Sequence, residues 1–428
     1  MRTLRARRAT ASLLAVVALG AGGLAGCGGD DSPSPFASQK GEAEATTDLG
    51  IPTVATRNTT RTATNDPVTA AAAVARATFS GAAENNRAKA VTIVDKADWR
   101  AALAATALVA DPVGAPLLFS DGTELPRATT DAVGALRPTG SEAAGGAQAI
   151  RIGNVGRPSG LRTTDLAGRD AAETALAIDR FVTAARGRTS PRVLVVSADH
   201  PEFATPAASW LAKSGDAVAF VTGKGVPAAT RRQLATHPRA TIYVLGPTTV
   251  IGKPVTRALR TYGTVRRVGG TDPVSNSVGF ARYGDGTFGW SFNEPGHGFT
   301  FARVGDVLGA ITLAPLSAHG LHGPLLLLDR ADALPAVVRD YLLDVQPGYE
   351  TDPARGRYNR GWLTGDTSAI STDVQSQIDG LLEISPVQTT GTTTDAAPAP
   401  TSTTSTAPTP SPEARGTAGT RTGTTGGR

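Results

Sequence analysis

Apolar residues in this chain fall into short β-branched runs separated by longer stretches of helical periodicity. In the middle third the runs are Arg192–Ser197 (RVLVVS), residues 217–222 (AVAFVT) and Thr241–Leu245 (TIYVL), followed by Thr264–Val268 (TVRRV). Residues 170–185, 203–213 and 228–236 between and before them carry the spacing of amphipathic helices. Continuous rather than alternating apolar runs indicate strands covered on both faces, and intervening helices are the connections that parallel strands need. The pattern predicts an α/β unit with an open, Rossmann-like or flavodoxin-like sheet.

The same pattern recurs. The text GTDPVSNSVGFA around Asp272 has counterparts in TNDPVTAAAAVA around Asp66 and GRDAAETALAID around Asp170, about 100 residues apart. VLGPTTVIGKPV around Gly246 is echoed by WLTGDTSAISTDV around Gly365 and by IRIGNVG around Gly153. Asp98 precedes Pro116 by 18 residues, as Asp306 precedes Pro324 and Asp199 precedes Ala217. Self-similarity kept in several registers predicts three tandem αβα units in one chain.

An arginine, then Gly-x-Asp and a helix, a β run, an Asp-led alanine-rich helix, a Gly-x-Pro apolar run and a Leu-Pro follow in order. This order resembles the type 2 cell-wall-binding repeats of bacterial surface proteins, which come as three tandem copies. The resemblance spans roughly residues 57–384. It implies a pseudo-threefold cluster of three units, no enzymatic activity, and binding of an anionic cell-envelope glycopolymer. The units are expected at residues 57–160, 161–264 and 265–386. The family's arginine is matched by Arg61 and Arg267, whereas the second copy has Asp165 there. A second arginine common in the family, directly after the aspartate, is replaced by Pro67, Ala171 and Pro273.

The ends differ in composition from the repeats. Residues 1–26 hold four arginines, then an apolar stretch from Leu13 to Leu24, which together read as a secretory signal. The Leu24-Ala25-Gly26-Cys27 ending resembles the bacterial lipobox, making Cys27, the one cysteine in the chain, the expected acylated residue. Acyl chains would place the mature protein on the outer face of the cytoplasmic membrane, at the wall. Residues 27–56 read as a flexible tether and residues 387–428, rich in Thr, Ser, Pro and Gly, as a disordered tail.

Charge changes the picture once the signal is set aside. Four of the 42 basic residues leave with it, so 38 face 37 acidic ones and the formal net falls from +5 to +1. No basic stripe suited to nucleic acid remains.

Ligands of open parallel sheets sit beyond the carboxyl ends of the strands, where Asp98, Asp199 and Asp306 are expected. Aspartate is equally suited to capping a helix there, and Asp66, Asp170 and Asp272 share that reading. Arg61 and Arg267 are the candidates for contacting an anionic polymer, since a guanidinium pairs with phosphate or carboxylate through two parallel hydrogen bonds. Trp99, beside Asp98, is the candidate for stacking on a sugar ring. No nucleophile elbow, phosphate loop or dinucleotide fingerprint appears, so no enzyme and no cofactor is expected. His319-Gly-Leu-His322 has metal-ligand spacing without identifiable partners, and no metal is assigned. A small-ligand receptor using the same crevices is the alternative, and an envelope hydrolase the third reading.

Overall fold

The computed structural model describes residues 53–79, 87–318 and 322–387. The signal, Cys27, most of the tether, the tail and His319 therefore lie outside the described residues. Three main sheets are built from parallel strands. The first runs in the order Leu117–Ser120, Val91–Asp95, Ala149–Ile152, Thr163–Leu166. In the second the order is Ala217–Val221, Arg192–Ser197, Thr241–Leu245, Thr264–Val268. The third repeats it with Leu325–Leu328, Gly298–Arg303, Arg360–Leu363 and Thr59–Arg61, and Val54–Ala55 adds one antiparallel edge strand. The expected α/β fold with parallel sheets is observed.

Strand pairing matches position by position. Ile93 faces Arg151, which faces Asp165; Val195 faces Val244, which faces Arg267; Phe301 faces Leu363, which faces Arg61. These rows define which residues correspond among the units. In each unit the third strand is followed within two residues by a glycine with positive φ: Gly153 (78°), Gly246 (109°) and Gly365 (82°). The chain turns there through a conformation that a side chain would strain.

Helices start and stop where local chemistry directs. Asp66, Asp170 and Asp272 each cap a helix, Pro67–Thr78, Ala171–Arg186 and Pro273–Arg282, by accepting hydrogen bonds from first-turn amides. Pro67 and Pro273 occupy the first helical position, where no amide donor is needed. The single helix expected over 203–213 is instead two, Pro201–Ala204 and Ala207–Ser214. Pro206 between them has no N–H to donate into the preceding turn. The other units break at the same place, Trp99–Ala105 giving way to a 3₁₀ turn at Thr106–Leu108 and Val307–Thr312 to one at Ala314–Ser317.

These broken, alanine-rich helices contact one another pairwise. Ala101 to Ala105 are all buried, and so are Leu103, Leu108, Leu211 and Ile311. Small residues let the helices approach closely, while each buried leucine or isoleucine contributes about 1.5–3 kcal/mol. Around this centre the units hand on in a ring. Pro67–Thr78 packs on the first unit and touches Val307–Thr312 of the third; Ala171–Arg186 packs on the second and touches Trp99–Ala105 of the first. Pro273–Arg282 packs on the third and touches Pro201–Ala204 of the second. The arrangement is pseudo-threefold.

The sheets change over one strand later than the written repeats, whose expected boundaries follow residues 160 and 264. Thr163–Leu166 completes the first sheet and Thr264–Val268 the second. Thr59–Arg61, at the start of the first repeat, completes the third sheet beside Arg360–Leu363. The ring is thus closed without a covalent link, and Asn58 reinforces the closure by donating to Asp379 (2.8 Å) and Glu383 (2.7 Å).

Candidate functional site

Asp98 and Asp306 cap the helices that leave the first strand of their sheets. Asp98 accepts from the amides of Arg100 (3.1 Å) and Ala101 (3.0 Å). Asp306 accepts from Gly309 N (2.9 Å) and the Thr364 hydroxyl (3.2 Å). Burial pushes the Asp306 carboxyl upward, and those two donors oppose it only in part. In the second unit the capping position is held by His200, whose side chain makes no capping bond. Asp199 lies one residue earlier and accepts from Gly223 N (2.8 Å) instead. Asp95, one turn before the first unit's cap, serves Ala97 N (2.9 Å) and Gly122 N (3.4 Å) in the same way. The three aspartates are therefore brought to corresponding sheet edges, but in two roles.

Trp99 is half-buried between units. Its ring meets Phe220 of the second sheet edge-on at 6.2 Å, and the Arg100 guanidinium lies 4.7 Å from its centroid. Arg100 Nε also donates to Ala198 O (2.7 Å), so the pair joins the first unit to the second.

Arg61 and Arg267 tie loops down. Arg61 is 2% exposed and donates from Nε to Gln375 Oε1 (2.6 Å) and from Nη2 to Ile370 O (2.9 Å). Its Nη1 is buried without a hydrogen-bond partner among the described residues. Burial lowers the basicity of this guanidinium, with Asp366 acting in the opposite sense. Arg267, half-buried, donates to Gly246 O and to Ile251 O (2.7 Å). Ile251 and Ile370 stand five residues after the corresponding glycines Gly246 and Gly365. Both arginines thus hold the same loop in two units.

The first unit solves that problem with exchanged charges. Asp165 occupies the arginine position, and Arg151 on the neighbouring strand reaches back to Val155 O and Gly156 O (3.2 Å to each from Nε). Asp165 accepts from Arg151 (2.9 and 3.0 Å) and from Arg157 (3.1 Å).

Beside this cluster lies a feature that reading the residues missed. Residues 246–263 of the second unit contain the helix Lys253–Leu259, and the third unit has Thr372–Leu382 in the corresponding place. Residues 153–162 of the first unit contain no helix. The space left over is an open groove of about 540 Å³ between Arg127–Leu136 and that loop. Leu125, Val133, Arg137, Gln148, Arg157 and Leu161 are among its lining residues. The short interval between Ala149–Ile152 and Thr163–Leu166 was the available signal.

A buried titratable pair stiffens the second unit. His237 Nε2 meets Asp179 Oδ2 at 2.8 Å, and its Nδ1 donates to Ser190 O at 2.8 Å. Burial alone would push this imidazole down, but the hydrogen bond and charge of Asp179, the Ser190 carbonyl and the more distant Asp216 together hold it above its usual value. Raised in the folded state, the group contributes stability fully below an unfolded value of roughly 6.5 and loses it as pH rises through the folded value. Urea midpoints should accordingly fall between pH 5.5 and pH 8.5, and His237→Gln should flatten that slope. A slope that His237→Gln leaves intact would assign it to other groups.

Among the described residues no helix is long and apolar enough to cross a membrane. Nor do any three His, Cys, Asp or Glu residues among them form a group that could hold a metal.

No family model matches the chain, and no curated protein matches it. Solved structures do. Cwp6 from Clostridium difficile superposes with a TM-score of 0.61 at 16% identity, covering 76% of this chain and 48% of that one. Cwp8 from the same organism gives 0.57 at 16% identity, with 80% and 54% covered. The chain spans about half the length of these proteins, and the likeness establishes a shared fold.

Proposed function

We propose that this chain is a non-enzymatic cell-envelope protein whose three-unit body binds anionic wall glycopolymer, with acylated Cys27 tethering it to the membrane. The observation that carries the reading is the architecture, three parallel sheets in pseudo-threefold array, shared with the cell wall proteins Cwp6 and Cwp8. The non-enzymatic part of the reading draws on the engagement of the repeated aspartates by backbone amides and a hydroxyl and of the two arginines by loop carbonyls.

Co-sedimentation tests this. Protein lacking its first 27 residues should pellet with purified wall from a related organism and remain in solution after the accessory polymers are stripped. Equal pelleting on stripped wall would transfer recognition to peptidoglycan. Absence from both pellets would leave the acyl anchor alone and favour a small-ligand receptor.

A further inference from the structure

We propose that the glycan-binding site is the groove of the first unit, and that it takes a short anionic oligosaccharide segment, one per chain. The inference rests on the glycopolymer reading above and names where that reading is executed.

The units share register and topology, so whatever distinguishes one of them stands out against the other two. In the second and third units the outer face beside the second crossover helix is filled by a further helix with an apolar stripe. Val255 and Leu259 are buried in one, and Val374, Ile378 and Leu382 in the other. In the first unit that volume is open, and its size lies within the roughly 300–1,000 Å³ of small-ligand clefts.

The strand surface beneath explains which occupant fits. Ile242, Val244 and Val265 pack under the second unit's helix; the corresponding residues of the first sheet are Ala149, Arg151 and Thr163. That face of the first sheet offers an amphipathic helix no apolar seat, since Arg151 on it is bonded to the loop carbonyls of Val155 and Gly156 and to Asp165, so a protein helix is disfavoured. The groove instead combines apolar walls, Leu125, Val133 and Leu161, with two guanidinium groups, Arg137 and Arg157, and has no carboxylate in its lining.

Its charge is unbalanced. Arg137 ends the helix Arg127–Leu136 in a left-handed conformation (φ 45°), is exposed, and makes no ion pair among the described residues. Arg157 shares the carboxylate of Asp165 with Arg151, so one negative charge serves two positive ones. Thr130 and Ser159 also line the groove. Aliphatic walls, hydroxyl-bearing residues and two arginines in one lining suit an anionic sugar segment, carrying either carboxylate or phosphate.

Gly134 offers the test. It lines the groove, and a side chain built there meets nothing within 4 Å, so the fold accommodates a substitution. Calorimetry on the full chain would use the accessory polymer released from wall, an oligogalacturonate, poly(glycerol phosphate), neutral dextran and polyglutamate. The expected result is one site per chain for the wall polymer and for one of the two anionic probes, the responding probe telling carboxylate from phosphate. Gly134→Glu and Arg137→Glu should each weaken binding at least about tenfold, while Arg257→Glu on the second unit's exposed helix should leave it unchanged. Wall polymer bound equally by wild type and groove variants, or at three sites per chain, would overturn the groove while leaving the glycopolymer reading standing. Polyglutamate bound as well as the glycans would overturn glycan recognition in favour of a polyanion site. Wild-type protein that binds no wall polymer would overturn the reading itself and the groove with it.

Discussion

Replacing Asp216 with alanine is expected to destabilise the body by about 3–5 kcal/mol, read as a lowered urea midpoint. Asp216 is 1% exposed and accepts from Arg192 Nε (2.8 Å) and Nη2 (3.0 Å), from the Ser190 hydroxyl (2.7 Å) and from the Trp210 indole (3.0 Å). Its removal leaves the Nε and Nη2 donors of the partly buried Arg192 and the buried Trp210 indole N–H without their acceptor. The damage extends beyond the second unit. Arg192 Nη1 also donates to Thr287 O (2.8 Å), on the segment that carries Phe288 and Trp290 against Trp210. Asp216→Asn keeps the shape but not the charge, so it should fall between wild type and alanine. A loss under about 1 kcal/mol for Asp216→Ala would show that the network is replaceable by solvent.

The second large effect concerns Arg61. On sequence alone its shared register with Arg267 reads as a ligand contact, and alanine at both positions would be expected to weaken wall association without unfolding. The structure directs a different outcome. Arg61→Ala leaves the buried Ile370 carbonyl and the Gln375 amide oxygen without their donor, at about 1–3 kcal/mol each. A loss of about 3 kcal/mol should follow, with the closure between Thr59–Arg61 and Arg360–Leu363 loosening first in hydrogen exchange. Arg61→Lys should not restore it, because one ammonium cannot reproduce the planar fork. Arg267→Ala should destabilise less, its site being half-buried and on the edge strand of its sheet. Unchanged stability with weakened wall binding would return both arginines to the ligand site.

How much of this was legible in the chain depends on the range of the interactions involved. Strands Arg192–Ser197 and Thr241–Leu245 are found with the bounds their apolar runs predict, because burial on both faces writes itself into consecutive residues; Thr264–Val268 is found as well, but as a half-exposed edge strand whose signal is its β-branched residues. The helix caps at Asp66, Asp170 and Asp272 were readable for the same reason: donor and acceptor lie within three residues. The pairing of Asp199 with Asp98 and Asp306 slipped by one residue, since the count of 18 was anchored on a downstream landmark and not on the strand end. The structural counterpart of those two caps is His200.

By itself, then, the sequence determined the α/β class, the threefold repetition and most of the element boundaries, all of which follow from local periodicity and local hydrogen bonding. Only the tertiary structure decided which sheet each repeat's first strand joins, because parallel pairing is made with a partner far along the chain. It also decided that Arg61 and Arg267 face loop carbonyls and that Trp99 spans two units, since direction and burial are set by neighbours that no spacing reveals. The groove belongs to the same class. It is a volume from which a helix is missing, and an absence acquires a shape only when the surrounding walls are in place.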